Sequence, residues 1–408
     1  MSDLHQSQLL NPAWGAQQEK FTIALPGLFL NARLPVSPGE FLETDEAGQS
    51  TVDLNALLQA SEPQDHITSH VQINTLGLGW SLANMRFSLW HSVKVAQQLD
   101  YTRDFLTLAW EGNSAFIGQE VDFGPDFQVV SWSEIGLGLS HKAGPVSFGF
   151  AAKYLNGIGD VSTPSTRASL YTDSDIYQLQ LSTDYRVNSA SFLSINDDDQ
   201  LEVVSDPLSS FGFQKGNAGW AFDAGLAVHL TDKLTLAVSA IDIGSVKWDR
   251  DVENYLSSGT FTFDGLEFDN IFNRDSLNFQ DAVDTLDQLF EFSERTEAYT
   301  TPLPTRVFAG ATYQLNEKWQ FGAVFQAESF RSLSFSGVAL SARWNPIPWL
   351  GVGASWASRY NRSDQIGIQL LASLGPVRIY LTTDNAGALW SPGLRSASNG
   401  RFGANLRF

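Results

Sequence analysis

The residues best suited to hold a metal or move a proton are few, and their spacing is poor. Asn196-Asp197-Asp198-Asp199 gathers hard oxygen donors that suit a calcium ion. It lacks the alternating ligand positions and the turn glycine of a calcium loop, so it reads as a solvated loop tip. Of the six histidines (5, 66, 70, 91, 141 and 229), only His66 and His70 stand four apart. That spacing joins two imidazoles on a helix, whereas the residues around them alternate as a strand does. The chain has no cysteine, which excludes a disulfide framework, a zinc-thiolate centre and a thiol nucleophile. Serine and aspartate are scattered throughout, and no nucleophile–base–acid set stands out. Gly77-Leu78-Gly79 and Gly136-Leu137-Gly138 read as inward glycines of strands, not as phosphate loops. The expectation is a protein with no catalytic residues, no metal and no cofactor.

The elements carrying these residues are strands. Acids outnumber bases 45 to 25 over 408 residues, the aromatic share is 12%, and charged residues make up only 17%. The acidic balance argues against nucleic acid, which needs a basic surface. No apolar run is long enough for a membrane helix. Instead the hydropathy alternates with period two. Trp220, Phe222, Ala224, Leu226, Val228 and Leu230 interleave with Ala221, Asp223, Gly225, Ala227 and His229. Trp319, Phe321, Ala323 and Phe325 repeat the pattern, as do Val146, Phe148, Phe150, Ala152 and Tyr154 against Ser147, Gly149 and Lys153. These segments run roughly 10–14 residues, against about 5–6 for a globular strand and about 9–11 for a tilted membrane strand.

Connections alternate too. Short turns such as Leu82-Ala83-Asn84-Met85 and Leu374-Gly375-Pro376 alternate with long polar stretches at 35–66, 98–125, 157–216, 248–303 and 384–400. Short turns at one rim and long loops at the other describe an all-β, transmembrane outer-membrane β-barrel. Fourteen antiparallel strands are predicted, near 20–33, 67–82, 85–97, 127–141, 145–157, 217–231, 234–247, 304–315, 318–330, 332–344, 348–359, 364–374, 377–384 and 400–408. Sixteen is the alternative, if 176–187 and 188–195 enter the wall rather than forming a hairpin above it with 166–173. Trp132, Tyr154, Trp220, Trp248, Trp319, Trp344, Trp349, Trp356 and Tyr360 lie near strand ends, where interfacial girdles are expected. The last strand places Phe402, Ala404, Leu406 and Phe408 on one face. It resembles the terminal strand that the barrel-insertion machinery reads, with Phe402, Leu406 and Phe408 as the signal.

Residues 1–19 precede the barrel of 20–408 and read as a plug or a periplasmic segment. No signal peptide is visible, so export to the outer membrane implies one missing from this numbering. Asn11-Pro12-Ala13 before the first strand is similar to the amino-terminal element of the long-chain fatty-acid transporter family and of barrels associated with type IX secretion in Bacteroidota. The wider set Gln8 to Ala13, Phe21 to Leu28, Lys153 to Gly157 and Ser169 to Asp173 resembles an uncharacterised family of Bacteroidota outer-membrane barrels. That resemblance implies a 14-strand wall with Asn11, Pro12 and Ala13 tucked into or under the lumen. No catalytic residue carries over from it.

The loop 248–303 is the most unusual segment. Between Asp249 and Glu297 it holds 13 acids and 3 bases. A hairpin at 259–268 with an Asp264-Gly265 turn is expected. An amphipathic helix over 275–294 would carry Leu277, Val283, Leu286, Leu289 and Phe290 as an apolar stripe. Weaker amphipathic stretches lie at Thr51–Ala60 and over 101–117. The stripe reads either as a loop that folds over the barrel mouth and seals its own apolar face or as a protein-docking surface. The leading expectation is therefore a non-enzymatic anchoring subunit of an envelope assembly, with outer-membrane lipid, lipopolysaccharide and a protein partner around it. The alternative is a transporter of hydrophobic or amphipathic small molecules. It looks weaker because the inward positions read as mostly Gly, Ser, Ala, Gln and Asp.

Overall fold

Period-two alternation becomes a closed antiparallel wall of fourteen strands in a computed structural model. The structure describes residues 4–17, 19–44, 50–195, 201–203, 216–263, 292–331, 333–359, 362–387 and 397–408. The wall strands are β1 (Phe21–Ala24 with Gly27–Arg33), β2 (Gln64–Leu82), β3 (Met85–Thr102), β4 (Asp126–Ala143), β5 (Val146–Thr172), β6 (Ala218–His229) and β7 (Leu234–Trp248). The other half comprises β8 (Tyr299–Pro302 with Thr305–Gln314), β9 (Trp319–Phe330), β10 (Leu333–Ile347), β11 (Leu350–Arg359), β12 (Arg362–Leu374), β13 (Val377–Thr383) and β14 (Ala397–Arg407). Each strand pairs with the next, and β14 closes on β1 through Leu406 opposite Ile23 and Phe402 opposite Leu28. Closure leaves no free strand edge, which is the arrangement a membrane-spanning sheet requires.

The predicted strands are all present, and the alternative of sixteen is excluded. Two predicted strands are interrupted. Pro26 has no N–H to give, and the ladder of β1 breaks at Leu25-Pro26. Opposite that break, β2 shifts register between Asn74 and Leu76. β8 breaks likewise before Pro304. Short turns join the strands at one rim; Gly144 and Gly375 both take φ of +59° there, a conformation that costs glycine little.

The outward face is apolar. Trp220, Trp319, Trp344, Trp349, Trp356 and Tyr154 are exposed on it, and Trp319 stacks on Trp344 at 6.0 Å. Phe402 and Phe408 are exposed on the same face. Trp132 and Trp248 depart from the girdle expectation, being 1% and 0% exposed. Their phase turns them into the lumen, where the Trp248 indole N–H donates to Thr301 Oγ1 at 3.0 Å. Position along the chain gave their height; only the register gives their side. Tyr360 lies outside the described residues.

β5 continues far past the wall. Its upper part pairs with Leu179–Ala190, which pairs in turn with Val252–Phe263. This is the hairpin above the wall that the sequence predicts. At its tip the Asp173 carboxylate accepts N–H groups of Asp175 and Ile176 at 2.8 and 3.0 Å, which hold its pKa below the usual carboxylate range. The helix Arg103–Glu111 packs Leu108 on this sheet, against Val121, Phe123, Val161 and Leu170. A second short helix, Leu54–Ala60, falls within the predicted stretch 51–60. The Asp264-Gly265 turn and most of the predicted helix 275–294 lie outside the described residues.

Candidate functional site: the lumen

The inward phase of β2, β4, β5 and β6 carries small residues at the level nearest the short turns. Gly77, Gly79, Gly138, Gly149 and Gly225 alternate with outward leucine and phenylalanine. Arg86 covers Gly79 and Ser88 with Trp90 covers Gly138, whereas at Gly77, Gly149 and Gly225 the space is filled by residues 4–17. Two short 3-10 helices, His5–Leu9 and Pro12–Gln17, lie there. A Cβ on Gly77 would meet His5 Nε2 at 2.5 Å, one on Gly149 would meet the Pro12 backbone at 2.3 Å, and one on Gly225 would meet Asn11 Oδ1 at 2.0 Å. Gly149 faces backbone and admits no side chain while the segment is seated, whereas at Gly77 and Gly225 the His5 or Asn11 side chain would have to give way.

Polar bonds fix the segment. Asn11 Nδ2 donates to the Leu226 and Val238 carbonyls at 3.4 and 3.2 Å, and Asn11 Oδ1 accepts the Ala13 N–H at 2.9 Å. Ser239 Oγ donates to the Leu10 carbonyl at 2.6 Å. His5 Nδ1 lies 3.2 Å from Thr22 Oγ1. Ala13 is fully buried. A cavity of about 10 Å³, room for one water, remains between Gln8, Pro12, Ser88, Trp90 and Ala151. Asn11, Pro12 and Ala13 thus come together on β5, β6 and β7.

Above this segment sits a cluster that sequence reasoning missed. Lys94 Nζ lies 3.0 Å from Glu134 and 3.1 Å from Asp242. Lys153 Nζ lies 2.7 Å from both Asp223 and Asp242. Arg306 reaches the other oxygen of Asp242. All six side chains are at most 7% exposed. Three cations face three anions, so the cluster is formally neutral. Asp242 is its hub. It sits at a positive φ of +59°, where β6 and β7 shift register between Phe222 and Ala224, and its N–H donates to Asp223 Oδ1 at 2.8 Å. The bulge turns its carboxylate toward cations from three strands. A signal for these residues did exist. Lys153 and Asp223 occupy the polar phase of the alternation, but their partners across the sheet are invisible without register.

The far side of the lumen is different. On β8, β9 and β10 the inward residues Phe308, Thr312, Gln320, Gln326 and Ser341 are half-buried, and inward Val324 is 40% exposed. Among the described residues, this side of the lumen is therefore less tightly filled than the other. The inward face is more charged than the sequence implied, and it also carries apolar rings. The stripe Leu277, Val283, Leu286, Leu289 and Phe290 lies outside the described residues. Phe402, Leu406 and Phe408 stand on the outward face of β14 and at its end, remote from the lumen.

A closed fourteen-strand wall, aromatic outside and holding its own amino-terminal segment inside, defines a β-barrel of the outer-membrane type. The chain belongs to the family described as a family of unknown function (DUF5723), which matches residues 12–384. No curated protein matches it. Among solved structures it is similar to the Ralstonia pickettii toluene transporter TbuX, at 9% identity over 100% of this chain and 94% of that one, with a TM-score of 0.50. It is also similar to the Pseudomonas putida toluene transporter TodX, at 12% identity over 99% of this chain and 92% of that one, with a TM-score of 0.45. At these identities the likeness is one of fold.

Proposed function

We propose that this barrel is an outer-membrane transporter that passes hydrophobic or amphipathic small molecules, with residues 4–17 as its plug. The observation that carries the reading is the seating of those residues on inward glycines of one half of the wall, beside inward residues of β8 to β10 that are less tightly packed. A purely anchoring barrel needs no shaped seat. The fold shared with TbuX, itself described as a toluene transporter, supports the same reading. It favours transport over the anchoring role, whose docking stripe is not among the described residues. The long loops face outward and the short turns face the periplasm, as in other barrels of this architecture.

The test is uptake by intact cells that produce the barrel, compared with cells that lack it. Radiolabelled toluene and octanol should enter several-fold faster through the barrel, while uptake of a disaccharide stays unchanged. Equal rates for both apolar probes would remove the transport reading.

A further inference from the structure

The tip of β9 reaches a part of the barrel far from its own place in the wall. Arg331 follows the last residue of β9, and its Nη1 lies 2.7 Å from Asp126 Oδ1 and donates to the Phe127 carbonyl at 2.9 Å. Its Nη2 donates to the Thr163 carbonyl at 2.6 Å. Those acceptors stand at the outer end of β4 and on β5. Three strands, β6, β7 and β8, separate β5 from β9 in the pairing order. Four inter-strand steps of about 4.8 Å make roughly 19 Å of wall. An arginine side chain does not span that, so the backbone of the tip leans inward over the lumen.

The packing of Phe330 shows the same lean. Phe330 is buried in one cluster with Ala96, Val130, Trp132, Leu155 and Trp248, which come from β3, β4, β5 and β7. β8 bends the same way above its break, where Tyr299 and Thr301 donate to Asp160 of β5 at 2.9 and 3.1 Å. The two fastenings differ. Asp160 is fully buried. The Arg331 and Asp126 side chains are 16% and 23% exposed, so water reaches their pair. Arg331 also holds φ at +51°, a left-handed conformation that is costly for a non-glycine residue and persists only where the surroundings enforce it. Freeing the guanidinium removes part of what enforces it.

We propose that the β9–β10 hairpin is a releasable strap across the outer mouth, with Arg331 as its fastening. Charge-assisted bonds from one guanidinium to a carboxylate and two carbonyls suit such a catch, because each is strong when made and water replaces it when broken. The strap covers the outer end of the half-lumen whose inner end residues 4–17 fill, so that half has a cover at each end. The inference goes beyond the passage reading, since the strap lies over the lumen whether or not anything crosses.

The experiment uses the full chain in intact cells, with one cysteine placed beneath the strap. No native cysteine competes. Val130→Cys falls in the Phe330 cluster and nearly keeps the volume of the residue it replaces. A charged, membrane-impermeant maleimide added from outside should label it slowly, and about tenfold faster when Arg331→Gln is added, the loss of one charge-assisted contact. Arg331→Lys keeps the charge without the planar fork and should give an intermediate rate. Asp126→Asn weakens the same catch from the other side and should also speed labelling, which keeps the test open if Arg331→Gln lacks the gel mobility of a folded barrel. Ala151→Cys, buried beside the amino-terminal segment, should label at one slow rate in every background. A Val130→Cys rate that the folded Arg331 and Asp126 variants leave unchanged overturns the strap. Equal acceleration at both cysteines also overturns it, because the barrel has then loosened throughout. Labelling needs no molecule to cross, so the strap and the passage reading fail separately.

Discussion

Asp242→Ala should lower the unfolding free energy of the barrel by about 3–5 kcal/mol, the usual cost of removing one partner from a buried ion pair. The carboxylate holds Lys94, Lys153 and Arg306 at once. Without it three buried cations face only Glu134 and Asp223. Their mutual repulsion acts in a water-poor interior, where charge interactions are strong. The measurement is urea unfolding in lipid vesicles, followed by the gel mobility shift between folded and unfolded barrel. Asp242→Asn should recover part of the loss, because an amide still accepts from both lysines. Asp242→Ala combined with Lys153→Met should also recover part of it by removing one stranded cation. If Asp242→Ala unfolds at the wild-type urea concentration, the cluster does not stabilise the wall.

Removing residues 1–17 should raise single-channel conductance in a planar bilayer by roughly tenfold or more, since a wall of this size encloses a lumen that its own side chains do not fill. The segment occupies the inward face of β2 to β7, and small residues replace it nowhere. Asn11 is the main polar fastening, with two bonds to wall carbonyls and a third that braces the segment itself through the Ala13 N–H. A milder variant tests the same point. Gly225→Leu puts bulk where Asn11 Oδ1 lies, so it should dislodge the segment and reproduce part of the conductance gain. Unchanged conductance in both variants would show that the ionic cluster alone closes the lumen.

Much of the wall is legible in the sequence, because each strand carries its own signal. Alternation assigns Trp319 and Phe321 to the lipid side and Gln320 to the lumen without knowledge of any neighbour. Turn residues such as Gly375-Pro376 mark the ends. The small inward glycines are equally local: Gly77 and Gly79 are visible as gaps in an apolar pattern, and such gaps ask for an occupant. The ionic cluster is not local. Lys94, Lys153, Asp242 and Arg306 lie on β3, β5, β7 and β8, and only the closed register brings them together. Trp132 and Trp248 fail for a related reason. The β4–β5 pairing shifts beside Trp132, and the β6–β7 pairing shifts within the strand that carries Trp248. Such shifts alter phase, so alternation read from one end loses the inward side at the other. The break of β1 could have been read from Pro26, whose missing N–H forbids a continuous ladder.

The most direct test of passage through the lumen is a removable tether. The chain has no cysteine, so a designed pair is free of competitors. A Cβ on Gly225 would lie 3.0 Å from Asn11 Cγ, which brings the two positions within reach of a disulfide. In cells producing the Asn11→Cys, Gly225→Cys barrel, oxidation should reduce toluene and octanol uptake to the level of cells without the barrel. Reductant should restore it. Uptake that is the same with the tether closed and open would contradict a lumen gated by its amino-terminal segment.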